Sequence, residues 1–452
     1  MTKSLSRAAA TALLAATFIL MLGQRPAMAL VCTLDKVPAA TLLVPYFQVD
    51  LKNKKGRGVD TLFSIDNASA TAVLAHVVIW SDLSVPVLNF NMYLTGYDLQ
   101  TVDMRDVING FLPQTASAGQ DPTDKISPKG PLSQDINFAS CNGTNPADSL
   151  SNPRLPPSNL SAAVVTHLKN SLTGNASTLL TPSGDCAGFA HGDNIARGYV
   201  TIDTVNNCTA RFPGEVGYFA PGGTGDVTNQ NLLTGDVIYL NGSGSARAGT
   251  MVSIEAAPGS GVSSVQPTNP ATTTAGRYTF YGRYDAWTAD DNREPLVTSF
   301  NPRFISKFSA SSCKKKCSRL DGQPQLIVWR DPKVDQTPFV CGTVPAWEPL
   351  GQEGIKVFDD QEQVQSTGAL TPFPLATQMV PIGGSELPLT ITSGWLYLNL
   401  NTTVAAAGSN PPIDPAAAQA YVTVIDGVPD TAGVESPAGA LDSACKAVHF
   451  TP

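Results

Sequence analysis

Charge is scarce in this chain. Asp, Glu, Lys and Arg make up 15% of its 452 residues, against about 25% in ordinary soluble domains. Gly, Pro, Asn, Ser and Thr fill the difference, a profile of many turns and few long helices. The charge present is acidic, −8 overall, which argues against nucleic acid and against an anionic membrane face as partner. Histidine is scarcer still. A zinc or triad enzyme would have to draw on His76, His167, His191 and His449. The G-x-S-x-G elbow, H-E-x-x-H, the P-loop and the dinucleotide fingerprint are all missing. Gly242-Ser243-Gly244-Ser245-Ala246 only brushes against the first and reads as a flexible turn. Beyond the N-terminus no run is apolar enough to span a bilayer.

The N-terminus itself reads as a cleavable secretory signal, residues 1–29. Lys3 and Arg7 precede an apolar stretch over 8–22, Pro26 breaks it, and Ala27-Met28-Ala29 supplies the small-x-small cleavage site. The apolar stretch is too short for a comfortable permanent anchor. Lys3, Arg7 and Arg25 leave with it, so the exported part is more acidic than the whole. Localisation is therefore expected to be periplasmic, cell-surface or extracellular. All eight cysteines follow the cleavage point: Cys32, Cys141, Cys186, Cys208, Cys313, Cys317, Cys341 and Cys445. An even count in an exported chain reads as a disulfide set. Eight cysteines allow on the order of a hundred pairings. Cys186 with Cys208, flanking one short segment, is the favoured pair, and Cys32 with Cys445 could join the ends. Cys313, Cys317 and Cys341 form a zinc alternative that lacks a C-x-x-C pair and a nearby His.

Residues 30–112 are expected to form an N-terminal β-sandwich part. Thr41–Val44, Tyr46–Val49, Thr61–Ile65, Ala72–Trp80 and Leu88–Leu94 are strand-like, with Asn, Asp and Gly turns between them. Pro45 marks an edge or a bulge. Residues 113–157 turn to Pro, Ser, Gly and Asn and read as a linker or long loop. Residues 158–452 form a C-terminal mainly β region that would complete a second sandwich. It opens with a short helix, capped by Ser158 or Asn159, with Leu160, Val164, Val165, Leu168 and Leu172 on one face and Gly174 at its end. Strands follow at 199–203, 236–240, 250–254, 277–284, 325–329, 394–400 and 420–425. The expected fold is mainly β: antiparallel sandwich-like domains with long loops and one or two short helices.

Several phrases recur together: Leu43-Val44-Pro45-Tyr46-Phe47, Thr61-Leu62-Phe63-Ser64-Ile65, Arg197-Gly198-Tyr199-Val200-Thr201-Ile202-Asp203, Asp291-Asn292-Arg293-Glu294-Pro295-Leu296, Leu326-Ile327-Val328-Trp329-Arg330-Asp331 and Gly394-Trp395-Leu396-Tyr397-Leu398-Asn399-Leu400. This set resembles phrases of a group of hypothetical secreted bacterial proteins. The resemblance covers most of the exported part. It implies export and co-folding, and no activity.

Two loops carry chemistry-bearing residues. In the segment 190–197, His191 beside Asp193 offers a base with an orienting carboxylate, and Arg197 offers a bidentate anion contact. The plain alternative is that Asp193 and Asn194 turn the chain into a strand and Arg197 is a solvated or ion-paired charge. In the segment 285–294, Asp285, Asp290, Asp291, Asn292 and Glu294 suit Ca²⁺, a hard cation that takes six to eight oxygens. Tyr278, Tyr281, Tyr284 and Trp287 lie beside them, as on a sugar-binding face. The plain alternative pairs the acids with Arg293. The reading carried forward is a structural or ligand-binding β-protein, with extracellular carbohydrate or a surface macromolecule as partner. The rival is an extracellular polysaccharide-active hydrolase or lyase, because paired carboxylates can cleave glycosides with no motif visible in sequence.

Overall fold

The computed structural model describes residues 37–113, 141, 149–152, 159–213, 215–219, 225–241, 246–256, 293, 296–305, 324–331, 337–345, 348–351, 354–365, 373–389, 391, 393–400, 419–426 and 434–440. The signal segment 1–29, Cys32, Cys313, Cys317, Cys445 and His449 lie outside them. So do the strand expected at 277–284 and the acids of 285–294.

In chain order the strands are β1 (Thr41–Asp50), β2 (Asp60–Asn67), β3 (Val73–Ser81), β4 (Pro86–Leu94), β5 (Leu99–Asp103), β6 (Ser151–Asn152), β7 (Ile195–Val205), β8 (Leu233–Thr234), β9 (Asp236–Leu240), β10 (Ala246–Thr250) and β11 (Val252–Ile254). They continue as β12 (Ser299–Asn301), β13 (Arg303–Ile305), β14 (Gln325–Asp331), β15 (Gly354–Asp359), β16 (Val364–Gln365), β17 (Thr377–Pro381), β18 (Ser393–Asn399), β19 (Gln419–Asp426), β20 (Val434–Pro437) and β21 (Gly439–Ala440). Two helices, α1 (Met104–Ile108) and α2 (Ala162–Ser171), complete the described elements. The chain is mainly β, built from antiparallel sheets, as its composition predicts.

The strands form four sheets. The first has the order β11-β1-β7-β3-β4-β6 and the second β10-β9-β2-β5, with β8 also on β2. Strands from 41–103 and from 195–254 therefore share both. Phe47, Val49, Val77 and Phe90 of the first sheet pack with Phe63, Ile65, Val102 and Val237 of the second in one core. The third sheet, β16-β15-β18-β12-β21 with β13 also on β18, faces the fourth, β17-β14-β19-β20. Leu396, Leu398 and Phe300 meet Leu326, Val328, Val422 and Val424 between them.

The outer face of the first sheet is covered too. Trp80 stacks on Tyr199 at 5.5 Å, and Tyr199 meets the edge of Trp329 from β14 at 5.9 Å. This explains why β3 is buried along its whole length. A strand covered on both faces needs an apolar residue at every position and loses the period-two alternation. β1 carries a register shift between Val44 and Phe47 in its pairing with β7, so Pro45 marks a bulge. It is not on an edge, because β1 lies between β11 and β7. Gly198 is where strands approach most closely. A Cβ there would run into the Trp80 carbonyl oxygen and sit 2.9 Å from the Phe47 ring.

The helix predicted over 160–172 is α2. Its cap is Ser161 and not Ser158 or Asn159, since the Ser161 side chain accepts from the Val164 N–H. Arg330, near the end of β14, is buried among backbone carbonyls. Its guanidinium donates to the carbonyls of Leu350 (3.1 Å), Phe373 (2.8 Å), Leu400 (2.8 Å) and Gly351. Burial pulls it down to about 9, still charged at neutral pH.

Candidate functional site

The hairpin between β3 and β4 turns on Ser81-Asp82-Leu83-Ser84. Ser84 donates its N–H to the Ser81 carbonyl at 3.1 Å and takes a φ of 60°. This turn pushes the Asp82 side chain into the loop that precedes β7. There Asp82 Oδ1 accepts from the Phe189 N–H at 2.9 Å, and Oδ2 pairs with His191 Nε2 at 2.8 Å. The carboxylate is 2% exposed and the imidazole 25%. The Phe189 ring packs edge-on against His191 at 4.9 Å. The Asp82 main chain is fixed as well, its carbonyl accepting from the N–H groups of Ala376 and Thr377 at the start of β17.

A second carboxyl joins this pair. Burial, then repulsion from Asp82, pushes Glu348 from 4.5 up to about 7, with His191 opposing. Asp82 of the β3–β4 turn and His191 of the 186–194 loop thus both act electrostatically on Glu348. Glu348 keeps its proton toward neutral pH and so offers an acid form, near an imidazole whose Nε2 is held by Asp82.

His191 and the Asp193–Arg197 pair share the loop but not the arrangement predicted for them. The carboxylate that orients His191 is Asp82, 109 residues away in sequence. Asp193 is engaged by Arg197, whose two terminal nitrogens reach Oδ1 at 2.8 Å and Oδ2 at 2.7 Å. Asp193 Oδ1 also accepts from the Ile195 N–H at 3.1 Å, the turn that leads into β7. Arg197 holds the Asp193 carboxyl below its ordinary range. Burial works against charge on Arg197, but Asp193, Tyr46 and Asp82 outweigh it and hold the guanidinium above its ordinary value. Burial pushes the neighbouring Tyr46 hydroxyl up to about 12. The plain alternative for Asp193 and Arg197 is the one the geometry has.

The loop is braced covalently. Cys186 pairs with Cys341 and Cys141 with Cys208. The Cys186–Cys208 pairing expected from spacing is therefore wrong. Short separation was a poor guide because β7 runs straight from 195 to 205 and carries the two cysteines apart. The zinc set of Cys313, Cys317 and Cys341 loses Cys341 to its disulfide.

Of the calcium candidates, Asp285, Asp290, Asp291, Asn292 and Glu294 lie outside the described residues, whereas Arg293 lies within. It pairs with buried Asp203 (3.5 Å), donates to Thr41 Oγ1 and the Thr228 carbonyl, and sits 5.2 Å over the Phe219 ring. Among the described residues no three His, Cys, Asp or Glu side chains are placed to hold a metal. His76 and His167 are buried. His76 lies between Asn91 Oδ1 at 2.9 Å and the Arg211 carbonyl at 3.0 Å, and burial lowers it to about 4. His167 meets Ser177 Oγ and the Val87 carbonyl. Both serve the core.

A separate groove of about 420 Å³ opens on the third sheet. Arg303 and Ile305 of β13, Asp360 after β15, and Trp395 of β18 are among its lining residues. Phe358 lies flat against Trp395, ring centres 4.2 Å apart and planes 11° apart.

Asp82, Glu348 and Trp395 were not singled out from the sequence. Asp82 sits in an ordinary turn, Glu348 before a proline, and Trp395 in a strand of normal alternation. No local signal separates them from structural residues. No protein-family model, curated protein or solved structure matches the chain.

Proposed function

We propose that the chain is an exported β-protein of ligand-binding or structural type, whose loops are held on a rigid scaffold by disulfides. The observation that carries this reading is the disulfide pair. Cys141–Cys208 and Cys186–Cys341 join segments 67 and 155 residues apart. Such bonds persist in oxidising compartments outside the cytosol. The 1–29 leader pattern and the resemblance to secreted bacterial proteins support the same compartment. Among the described residues no helix is long and apolar enough to cross a membrane.

The test is to produce the full chain with its own leader in a bacterial host, fractionate the cells, and map non-reduced peptides by mass spectrometry. The expected result is a chain beginning at Leu30 outside the cytoplasm, with Cys141–Cys208 and Cys186–Cys341 peptides. Cytoplasmic accumulation with free thiols would overturn the reading.

One observation favours the polymer-active hydrolase as a second reading. Asp82 orients His191 at 2.8 Å while Glu348 is held at about 7, and paired acid and base groups at neutral pH are what such catalysis needs. Release of reducing ends from polysaccharides, lost in His191→Ala and Glu348→Gln, would establish it. No release from any polysaccharide tested would leave the binding reading in place.

A further inference from the structure

The outer face of the third sheet has a composition that stability does not require. From Trp395 on, β18 alternates: Leu396 and Leu398 are buried, as is Leu400 just past its end, while Trp395, Tyr397 and Asn399 face outward and are half-buried. Side chains two apart on a strand lie about 6.6 Å from each other on one face, so Trp395 and Tyr397 form a short aromatic row. The neighbouring strands extend it. Trp395 is in register with Phe358 of β15 on one side and Arg303 of β13 on the other. Tyr397 is in register with Lys356 and leans over Gly354, where an added Cβ would lie 3.6 Å from its ring.

Two charges border the groove at Trp395. Arg303 and Asp360 are exposed and of opposite sign, and among the described residues neither makes an ion pair or a side-chain hydrogen bond. Phe358 covers one face of the Trp395 ring, and the two charges offer donors and acceptors around the other. A neutral ring compound with hydroxyls at its rim and C–H groups on its faces matches this set. Its C–H faces meet the electron-rich ring of Trp395, and its hydroxyls donate to Asp360 and accept from Arg303. The groove is open, which suits a chain that passes over the surface. A free amino acid would also meet both charges, but ion pairs to exposed groups such as these contribute only ~0–1 kcal/mol each.

We propose that the β13–β18–β15 face binds a neutral linear oligosaccharide, with one sugar ring on Trp395 and the next toward Tyr397. This rests on the ligand-binding reading above and names its ligand class and site.

The test uses the purified, oxidised protein from Leu30 onward. Cellohexaose, chitohexaose, xylohexaose and mannohexaose are titrated while tryptophan fluorescence and isothermal heat are followed, with glycine and glutamate as zwitterionic controls. Trp395→Ala, Trp395→Phe, Arg303→Ala and Tyr397→Ala are compared, each checked by circular dichroism and thermal melting. The expected result is saturable binding of at least one hexasaccharide, longer oligomers binding tighter than disaccharides. Trp395→Ala should weaken it by ~10-fold or more and Trp395→Phe should retain most of it. Arg303→Ala keeps the test valid even if Trp395→Ala fails to fold, because Arg303 is exposed; it too should weaken binding. Absence of binding to all four hexasaccharides would overturn the proposal, as would binding that none of the variants alters, or binding of the amino acids in their place. Export with intact disulfides but no sugar binding would defeat this inference alone, whereas cytoplasmic free thiols would defeat the reading beneath it.

Discussion

Replacing Glu348 by Gln should stabilise the protein at pH 8 and leave it nearly unchanged at pH 5. Burial first, and Asp82 second, raise this carboxyl from 4.5 to about 7. In the folded chain Glu348 keeps its proton up to about pH 7, whereas in the unfolded chain it releases it near 4.5. Between those values the folded state binds more protons, so stability falls as pH rises. The contribution is fully present below 4.5 and is lost above 7. A rise of that size corresponds to at most ~3.4 kcal/mol. Glu348 is only half-buried, and solvent screening reduces this to ~1–2 kcal/mol. Glutamine matches the protonated side chain in shape but cannot ionise, so it removes the cost at high pH. Thermal melts of both proteins at pH 5 and pH 8, at matched scan rates, read the effect. The gap between variant and wild type should widen by roughly 1–2 °C at pH 8. Other titrating groups are common to both proteins and cancel. A gap that is equal at the two pH values, or a wild type more stable than the variant at pH 8, would refute a Glu348 carboxyl raised by burial and Asp82.

Arg330→Met removes the donor to four carbonyls, three of them buried and that of Gly351 partly so. At ~1 kcal/mol or more for each acceptor left unpaired, the loss is ~4 kcal/mol, visible as poor soluble yield or a large drop in melting temperature. The double change Cys186→Ser and Cys341→Ser opens a closed loop set by a separation of 155 residues. Chain entropy puts the upper bound near ~5 kcal/mol, and limited proteolysis should cut within 337–345 sooner than in wild type. Gly198→Ala places a methyl against the Trp80 carbonyl and the Phe47 ring. Overpacking of this kind costs ~3 kcal/mol, and urea unfolding should show it unless β3 and β7 separate to make room.

Fold class was legible because two physical signals agreed. Period-two alternation appears where one face of a strand is wet, as in β18, and continuous apolar runs appear where both faces are covered, as in β3. Turn residues between short runs separated the strands. Pairing across the chain was less legible. Nothing in Tyr199–Asp203 says that its neighbours are β1 and β3, more than a hundred residues upstream. A period-two strand fixes which side chains share a face, while the partner strand is chosen by burial of the whole sheet. The cysteines show the same limit. Spacing favoured Cys186 with Cys208, yet extended chain between them moved the two apart and brought Cys341 in.

The candidate site exposes a sharper limit, because adjacency pointed to Asp193 as the partner of His191 and the geometry gives Asp82. His191, Asp193 and Arg197 stood out as a short polar run, and adjacency suggested that Asp193 orients the imidazole. A residue two positions away in a tight loop is seldom the one that meets a ring nitrogen, since its own backbone needs compete. Asp193 spends Oδ1 on the Ile195 N–H and both oxygens on Arg197. The orienting carboxylate had to come from another element that could bury it without a backbone demand of its own. Asp82 satisfies this, because the hairpin turn is closed by Ser81, whose hydroxyl donates to the Ala187 carbonyl and accepts from the Val85 N–H. That leaves both Asp82 oxygens for the Phe189 N–H and His191. Serine closing the turn and aspartate aimed across it divide the two tasks, and only the assembled sheet brings the result within 2.8 Å of the histidine.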